Sequence, residues 1–314
     1  MRSACLVPHV VRFVFGLRPQ TAPFHLLHYL CLASCLEVVR PERVVVHCLN
    51  QPWGPLWDLI RPRIEVEPIR PEDMDQGFAY DDPFMARFSY AHVCDILRLK
   101  LLLAHGGVYA DMDTLFVRPL PAALFEAPCV MGHERPDPAN PKAADGSLCN
   151  AFIMAEPGAE FIRLWLEQIR AAFDGSWSNH ACTLPYRLSR SHPQLIRVEP
   201  ARSFFALDWT PDGIAALFER SVTLPHDAYS LHLWAHLWWD RDRRDMSRFS
   251  HEQITPAYVA HADTTYAHLA RRFLPPGRVP SPLRHRLERA YWSIATARMG
   301  VSKRRREPAL RAIR

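Results

Sequence analysis

The stretch from Ala91 to Asp113, AHVCDILRLKLLLAHGGVYADMD, restricts the fold more than any other part of the chain. It sets a helix, a glycine pair and a strand end to end, and it closes on two carboxylates one residue apart. Ile96, Leu99 and Leu103 recur at helical spacing, and Asp95 and Arg98, three apart, leave that helix on one side, where they can address one ligand together. Gly106 and Gly107 stop the helix, because a left-handed C-cap costs glycine little. Alternation from Val108 onward predicts a strand with Tyr109, Asp111 and Asp113 on one face.

Two carboxylates so placed are hard oxygen ligands suited to magnesium or manganese, an ion that would neutralise the two phosphates of a sugar nucleotide. Metal-assisted departure of a diphosphate is the chemistry this pattern suggests. An Asp-x-Asp triplet is unspecific in isolation, since Asp73-Met-Asp75 and Asp240-Arg-Asp242 repeat it in stretches that read as polar loop. The upstream helix and the Gly-Gly turn separate Asp111 and Asp113 from those copies and from the bland reading, a solvated strand end.

The 314 residues, 48% hydrophobic, suffice for one large core, and no repeat or low-complexity linker divides them. The N-terminal part alternates. Strand Val10 to Phe15, helix Phe24 to Val39, strand Arg43 to Leu49, a short helix around Trp57 and strand Ile64 to Ile69 predict an α/β layer fold with a largely parallel sheet. Ligands gather at the carboxyl ends of such strands, which places Phe15-Gly16-Leu17 and the His47 to Asn50 stretch on the nucleotide side. Leu148 to Ala155 then reads as a strand, and Glu160 to Phe173 as an amphipathic helix after Pro157-Gly158.

Asp95-Ile-Leu-Arg98 followed by Gly106-Gly-Val-Tyr109-x-Asp111-x-Asp113 resembles the sugar-binding DXD region of GT-A glycosyltransferases. The likeness is to the group of yeast mannosyltransferases, α1,4-galactosyltransferases and α1,4-N-acetylglucosaminyltransferases, and more distantly to the clostridial glucosylating toxins. It is closest over about twenty-five residues and weaker over most of the first 240. The resemblance implies an α/β, Rossmann-like GT-A mixed sheet flanked by helices; residues 1–270 are expected to form the catalytic domain, and 271–314, which have no counterpart in the group, a basic Pro/Arg-rich tail with an amphipathic helix. It further implies that Asp95 and Arg98 hold donor sugar hydroxyls, that Tyr109 packs near the nucleotide, that Asp111 bridges sugar and metal, and that Asp113 binds the metal. Phe15 and Gly16 fall where relatives carry an aromatic-glycine turn against the base, and Asn150 where they have an asparagine near the reacting sugar.

Tyr229-Ser-Leu-His-Leu-Trp-Ala-His-Leu-Trp-Trp239 is similar to the late His-x-Trp-x-x-x-Trp element of the same group. There His232 would complete the shell of a Mn²⁺ or Mg²⁺ ion, and Trp234 and Trp238 would line the pyrophosphate pocket. Without the family, a histidine between apolar strand residues reads as a satisfied core residue. His236 and Leu237 depart from the small residue and serine of relatives, and Thr183-Leu-Pro185 departs from their Gly-Pro pair, so the acceptor side is expected to differ. The implied reaction retains the anomeric configuration. A hexose passes from a nucleotide-diphosphate sugar, UDP-linked in preference to GDP-mannose, to a hydroxyl of a glycan or lipid-linked acceptor, with Arg98 and the metal stabilising the leaving diphosphate. The competing classes are a metal-dependent phosphoesterase on Asp111, Asp113 and His232, and a non-catalytic nucleotide-sugar or glycan-binding module.

The eight cysteines are scattered through apolar segments without a Cys-x-x-Cys pair, which excludes zinc spacing and predicts free thiols in a reducing compartment. Met1 to Leu17 is broken by Pro8, His9 and Arg12 and does not read as a signal peptide, and no stretch reads as a membrane span, so a cytoplasmic enzyme is expected. Charge is uneven. Residues 271–314 carry 13 Lys or Arg and 2 acids, +11, against 25 basic and 31 acidic residues, −6, in the remainder. Leu283, Leu287, Tyr291, Ile294 and Met299 recur at helical spacing among arginines, ahead of Lys303-Arg-Arg-Arg306, and suggest contact with an anionic membrane surface. The alternatives are a tail packed on its own domain or left solvated. Nucleic acid is not expected as a partner, because only the tail is basic.

Overall fold

The structure, a computed structural model, describes residues 5–81, 83–239, 247, 249–277 and 279–303. They form two compact units, one within 1–206 and 224–232, the other within 207–223 and 233–314. The boundary expected at 270 falls inside the second unit.

The first unit holds strands β1 (Val10–Phe15), β2 (Arg43–Cys48), β3 (Glu65–Pro68), β4 (Gly107–Ala110), β5 (Thr114–Phe116), β6 (Cys129–Glu134), β7 (Ser147–Ala155), β8 (Arg197–Glu199) and β9 (Ser230–His232). Its helices are α1 (Leu26–Ser34), α2 (Pro55–Ile60), α3 (Pro83–Ala86), α4 (Ser89–His105), α5 (Glu160–Ala172), α6 (Leu184–Ser191) and α7 (Ala201–Phe204). Seven strands make one mixed sheet in the order β3-β2-β1-β4-β7-β6-β8, and β5 pairs with β9 in a separate two-stranded ribbon. The run β3-β2-β1-β4 is parallel, while β7 is antiparallel to both neighbours, β4 and β6. This is the helix-flanked α/β mixed sheet that was expected.

The central strands are apolar on both faces, as strands covered by helices on both sides must be. On β1 the sequence Val-Val-Arg-Phe-Val-Phe is buried up to its last residue, and Arg12 is accommodated because its Nε donates to the Gly106 carbonyl at 3.0 Å. Val14, Tyr109, Ile153 and Met131 share a core with α4, α5 and α6. Helix α5 shows how that cover is specified: Phe161, Ile162, Trp165 and Ile169 lie on one stripe and are buried. Truncating a fully buried tryptophan such as Trp165 costs roughly 3–5 kcal/mol. Its indole N–H also donates to the His180 carbonyl at 2.9 Å, which ties the core to the polar cluster described below.

The glycine pair ends α4 as its sequence implies, although neither residue takes the ordinary left-handed cap. Gly106 has φ 61° with an extended ψ, and Gly107 has φ 107°. A Cβ on Gly107 would lie 2.6 Å from the Val10 carbonyl oxygen, so the pair also lets β4 enter the sheet against β1. Helix Phe24 to Val39 of the sequence reading begins later, at Leu26, and its last turn, Cys35–Val39, widens into a π-turn.

The second unit is helical: α8 (Pro211–Phe218), α9 (Ala235–Trp238), α10 (Pro256–His261), α11 (Thr265–Ala270) and α12 (Pro282–Lys303). Phe218, Trp238, Phe249 and Tyr266 form its aromatic centre. Among the described residues no helix is long and apolar enough to cross a membrane.

Candidate active site

Strand β4 stops at Ala110, one residue short of the acid pair, and Asp111-Met-Asp113 is a tight turn. This corrects the expected single strand face. The Thr114 N–H donates to the Asp111 carbonyl at 2.9 Å, and the chain reverses into β5. Turn geometry, not period-two alternation, brings the carboxylates together, since β4 and β5 belong to different sheets. Register then supplies the third group, because Thr114 on β5 pairs with His232 on β9. One ligand atom from each of Asp111, Asp113 and His232 lies within 4.8 Å of the others. His232 Nε2 is 3.2 Å from Asp113 Oδ1 and 3.8 Å from Asp111 Oδ2. The side chains are 26%, 13% and 6% exposed, so the cluster opens to solvent through Asp111.

The electrostatics follow from this crowding. Burial pushes the Asp111 carboxyl up, and Asp113 adds to that against the Arg98 and His232 cations. Burial alone would lower His232, but Asp113 and then Asp111 outweigh it and raise the imidazole. Two carboxylates and an imidazole nitrogen in this arrangement fit Mn²⁺ or Mg²⁺, whose preferred donors are oxygen with tolerance for one nitrogen.

Behind the turn lies a second polar cluster. Asp95 and Arg98 meet at 3.2 Å, and Arg98 Nη1 reaches Asp111 Oδ1 at 3.2 Å. Arg98 also donates to the carbonyls of Asn150 and Cys94. The Asn150 amide donates to Asp95 Oδ1 at 2.7 Å, and His180 Nε2 sits 3.0 Å from Asp95 Oδ2. Arg98 outweighs burial to hold the Asp95 carboxyl below its ordinary value, with His180 assisting. His180 packs edge-on to His92, whose Nδ1 lies 2.9 Å from the Tyr80 hydroxyl, and burial lowers His92 from 6.5 to about 4.

Among the expected site residues, Tyr109, Arg98, Trp238 and Trp234 are buried in this setting. Tyr109 is 1% exposed, donates its hydroxyl to Asp111 at 2.6 Å and lies under the Arg98 guanidinium, so it braces Asp111. Arg98 is buried and contacts Asp95, Asp111 and the carbonyls of Cys94 and Asn150, so it orients both acids. Trp238 is fully buried against Phe218 and Phe249 and serves as core. Trp234 is also buried, has φ 55° and donates its indole N–H to the Leu207 carbonyl. Bulky residues seldom hold that backbone region, and such strain tends to collect beside functional sites.

At the carboxyl ends of β1 and β2, Asn50 clasps Gly16 through its backbone N–H and its side-chain amide. A Cβ on Gly16 would fall 2.2 Å from the Asn50 carbonyl, which makes glycine obligatory there. Phe15 is half-buried against Phe24 and His28, and next to this turn opens a cavity of about 270 Å³ whose walls include Leu17, Arg18, Tyr80 and Tyr90. His47 is buried between Arg12 and Glu67 and belongs to the sheet. Sequence reasoning missed His180, His92 and Tyr80. His180 lies 85 positions from Asp95 on a π-turn, and no local pattern announces it.

Residues 68–131, which contain Asp95, Arg98, Tyr109, Asp111 and Asp113, match the family described as glycosyltransferase sugar-binding region containing DXD motif. The chain is 29% identical to glucan organizing enzyme 1 of Cryptococcus neoformans var. grubii over 289 residues, covering 88% of this chain and 73% of that one. Over 97 residues it is 34% identical to glycosyltransferase afumC of Aspergillus fumigatus, covering 28% and 23% of the two chains. A solved galactosyltransferase in complex with donor and acceptor sugar analogues aligns at 17% identity and TM-score 0.42, over 84% of this chain and 93% of its own. The chain is an enzyme of the glycosyltransferase class. Its residues 68–131 match that class's DXD-containing sugar-binding region.

Proposed function

We propose that the protein is a metal-dependent, retaining glycosyltransferase that moves a hexose from a nucleotide-diphosphate sugar, UDP-linked or GDP-mannose, to a hydroxyl of a glycan or lipid-linked acceptor. The observation that carries this reading is the convergence of Asp111, Asp113 and His232 from a turn and a facing strand within 4.8 Å. These three residues would hold Mn²⁺ or Mg²⁺, which when bound supplies charge neutralisation for the diphosphate leaving group. Arg98 and Tyr109 hold Asp111 in place, and Asp95, fixed by Asn150, Arg98 and His180, is oriented for donor hydroxyls. Phe15 and Gly16, with the neighbouring cavity, would take the nucleoside. Trp234 contributes by positioning the segment that follows His232.

In the proposed reaction the bond from the anomeric carbon to the diphosphate oxygen breaks while the acceptor hydroxyl attacks from the same face. The sugar keeps its configuration, and the hydroxyl proton leaves on the departing phosphate. Retention rests on the resemblance in the Asp95 to Asp113 segment. Eight free thiols support a reducing, cytoplasmic setting.

Thermal-shift measurements with UDP-glucose, UDP-galactose, UDP-N-acetylglucosamine and GDP-mannose, with and without Mn²⁺, test the reading. One donor should raise the melting temperature with Mn²⁺ present, by about 2.7 kcal/mol of apparent stability at a hundredfold excess over Kd. NMR of the product should then show the donor's own anomeric configuration. Absence of stabilisation by every donor, with and without the ion, would overturn it.

A further inference from the structure

Helix α12 is seated on α10 by one face. His285 stacks its ring near Tyr258 and His261, and Glu288 accepts from the Thr255 hydroxyl at 2.5 Å, which seats the helix on α10 within the second unit. The face turned away from those contacts carries Leu283, Leu287, Tyr291 and Ile294, and these are 62%, 63%, 61% and 55% exposed. At about 100° per residue the four lie within an arc of about 80°, with Arg284 flanking one side and Arg286 the other. Isolated exposed apolar residues are ordinary, but an aligned stripe three turns long on a helix already seated by its opposite face is not.

Charge selects the occupant. Residues 271–314 carry +11, and among the α12 residues whose side chains are described Arg284, Arg286 and Arg289 are basic against the one acid Glu288, which Arg284 bridges at 2.9 Å. A second copy would bring like charge to like charge. Nucleic acid would answer the arginines and leave the leucine and isoleucine stripe in water. An anionic lipid surface answers both, since the stripe enters the acyl boundary while arginines extend along it to the headgroups. No described helix is long and apolar enough to cross a bilayer, so contact with lipid would be along its surface. Arg304 to Arg306, and the side chains of Met299 and Lys303, lie outside the described residues.

We infer that α12 is an interfacial helix that docks this enzyme on anionic membranes through the stripe Leu283–Leu287–Tyr291–Ile294 and its flanking arginines. This surface is independent of the transfer chemistry.

Sedimentation of the full chain with phosphatidylcholine vesicles, with and without phosphatidylglycerol, tests it. Binding should require phosphatidylglycerol and weaken with added salt. It should fall about fivefold for each of Arg284→Ser and Arg286→Ser. Leu287→Asp with Ile294→Asp should abolish binding while circular dichroism and donor turnover in solution stay as in the parent protein. The inference fails if the double variant binds as the parent does, or if neither vesicle type is bound. It fails equally if sedimentation equilibrium shows a dimer that the double variant dissociates.

Discussion

Two carboxylates that touch the same arginine, Asp95 from three residues before it on α4 and Asp111 from the turn after β4, meet opposite fates. Asp95 is closed in: Asn150 and Arg98 reach its Oδ1 and His180 its Oδ2, and its carboxyl is held below the ordinary value. Asp111 also touches Arg98, yet burial and Asp113 push its carboxyl up, and its Oδ2 turns toward His232 at 3.8 Å. In the first cluster both oxygens of Asp95 are answered by protein groups. The second concentrates negative charge at a partly open turn, the arrangement a cation completes. A buried carboxylate answered on both oxygens is held rigidly, whereas crowded like charges store repulsion that a bound ion relieves.

The sharpest way to break this comparison is to neutralise one acid on each side. Asp113→Asn should lower kcat/KM with donor and Mn²⁺ by at least about a thousandfold, while urea unfolding in metal-free buffer changes by less than about 1 kcal/mol, because the lost His232 contact is offset by relief of repulsion with Asp111. Near-normal turnover would remove the acid pair from the chemistry. Asp95→Asn should raise the donor KM and in addition cost about 3 kcal/mol in urea unfolding, a loss Asp113→Asn does not share, by leaving Arg98 buried with one counter-charge fewer. If both variants unfold alike, the two clusters do not differ in kind.

Acid sharpens the comparison on the closed side. His92 titrates at 6.5 when free and at about 4 in the fold, so the unfolded chain binds its proton first as pH drops. Its contribution is present above 6.5 and is lost as pH falls toward 4, amounting to about 3 kcal/mol. His92→Gln should flatten that part of the stability profile between pH 7 and 4, measured by urea unfolding; an unchanged slope would show that His92 does not carry it. The smallest effect belongs to Tyr109→Phe. Losing the 2.6 Å bond to Asp111 should cost about 1 kcal/mol and raise the Mn²⁺ concentration needed for half-maximal activity a few-fold, leaving kcat within about twofold.

Much of the first unit was legible because its signals are local. The apolar run Val10–Phe15, the periodicity of Ser89–His105 and the Gly106-Gly107 break each follow from side-chain spacing or glycine's backbone freedom, and each element stands where those rules put it. Where the reading departed, the cause was non-local. Asp111 to Asp113 alternate in sequence as a strand would, but β5 is claimed by β9, so the chain must turn. Trp238 and Tyr109 look like ligand platforms by residue type, while their packing partners, Phe218 and Phe249 for one and Arg98 and Asp111 for the other, come from distant segments.

The order of helix, glycine break and strand, the two acids, and the apolar-basic spacing of the last helix are properties of neighbours along the chain, and the sequence by itself determined them. Only the tertiary structure decided that His180 clamps Asp95, that β9 delivers His232 to the acid pair, and that the stripe on α12 faces outward. Those outcomes depend on strand pairing and core packing between residues far apart in the chain, for which local propensity carries no information.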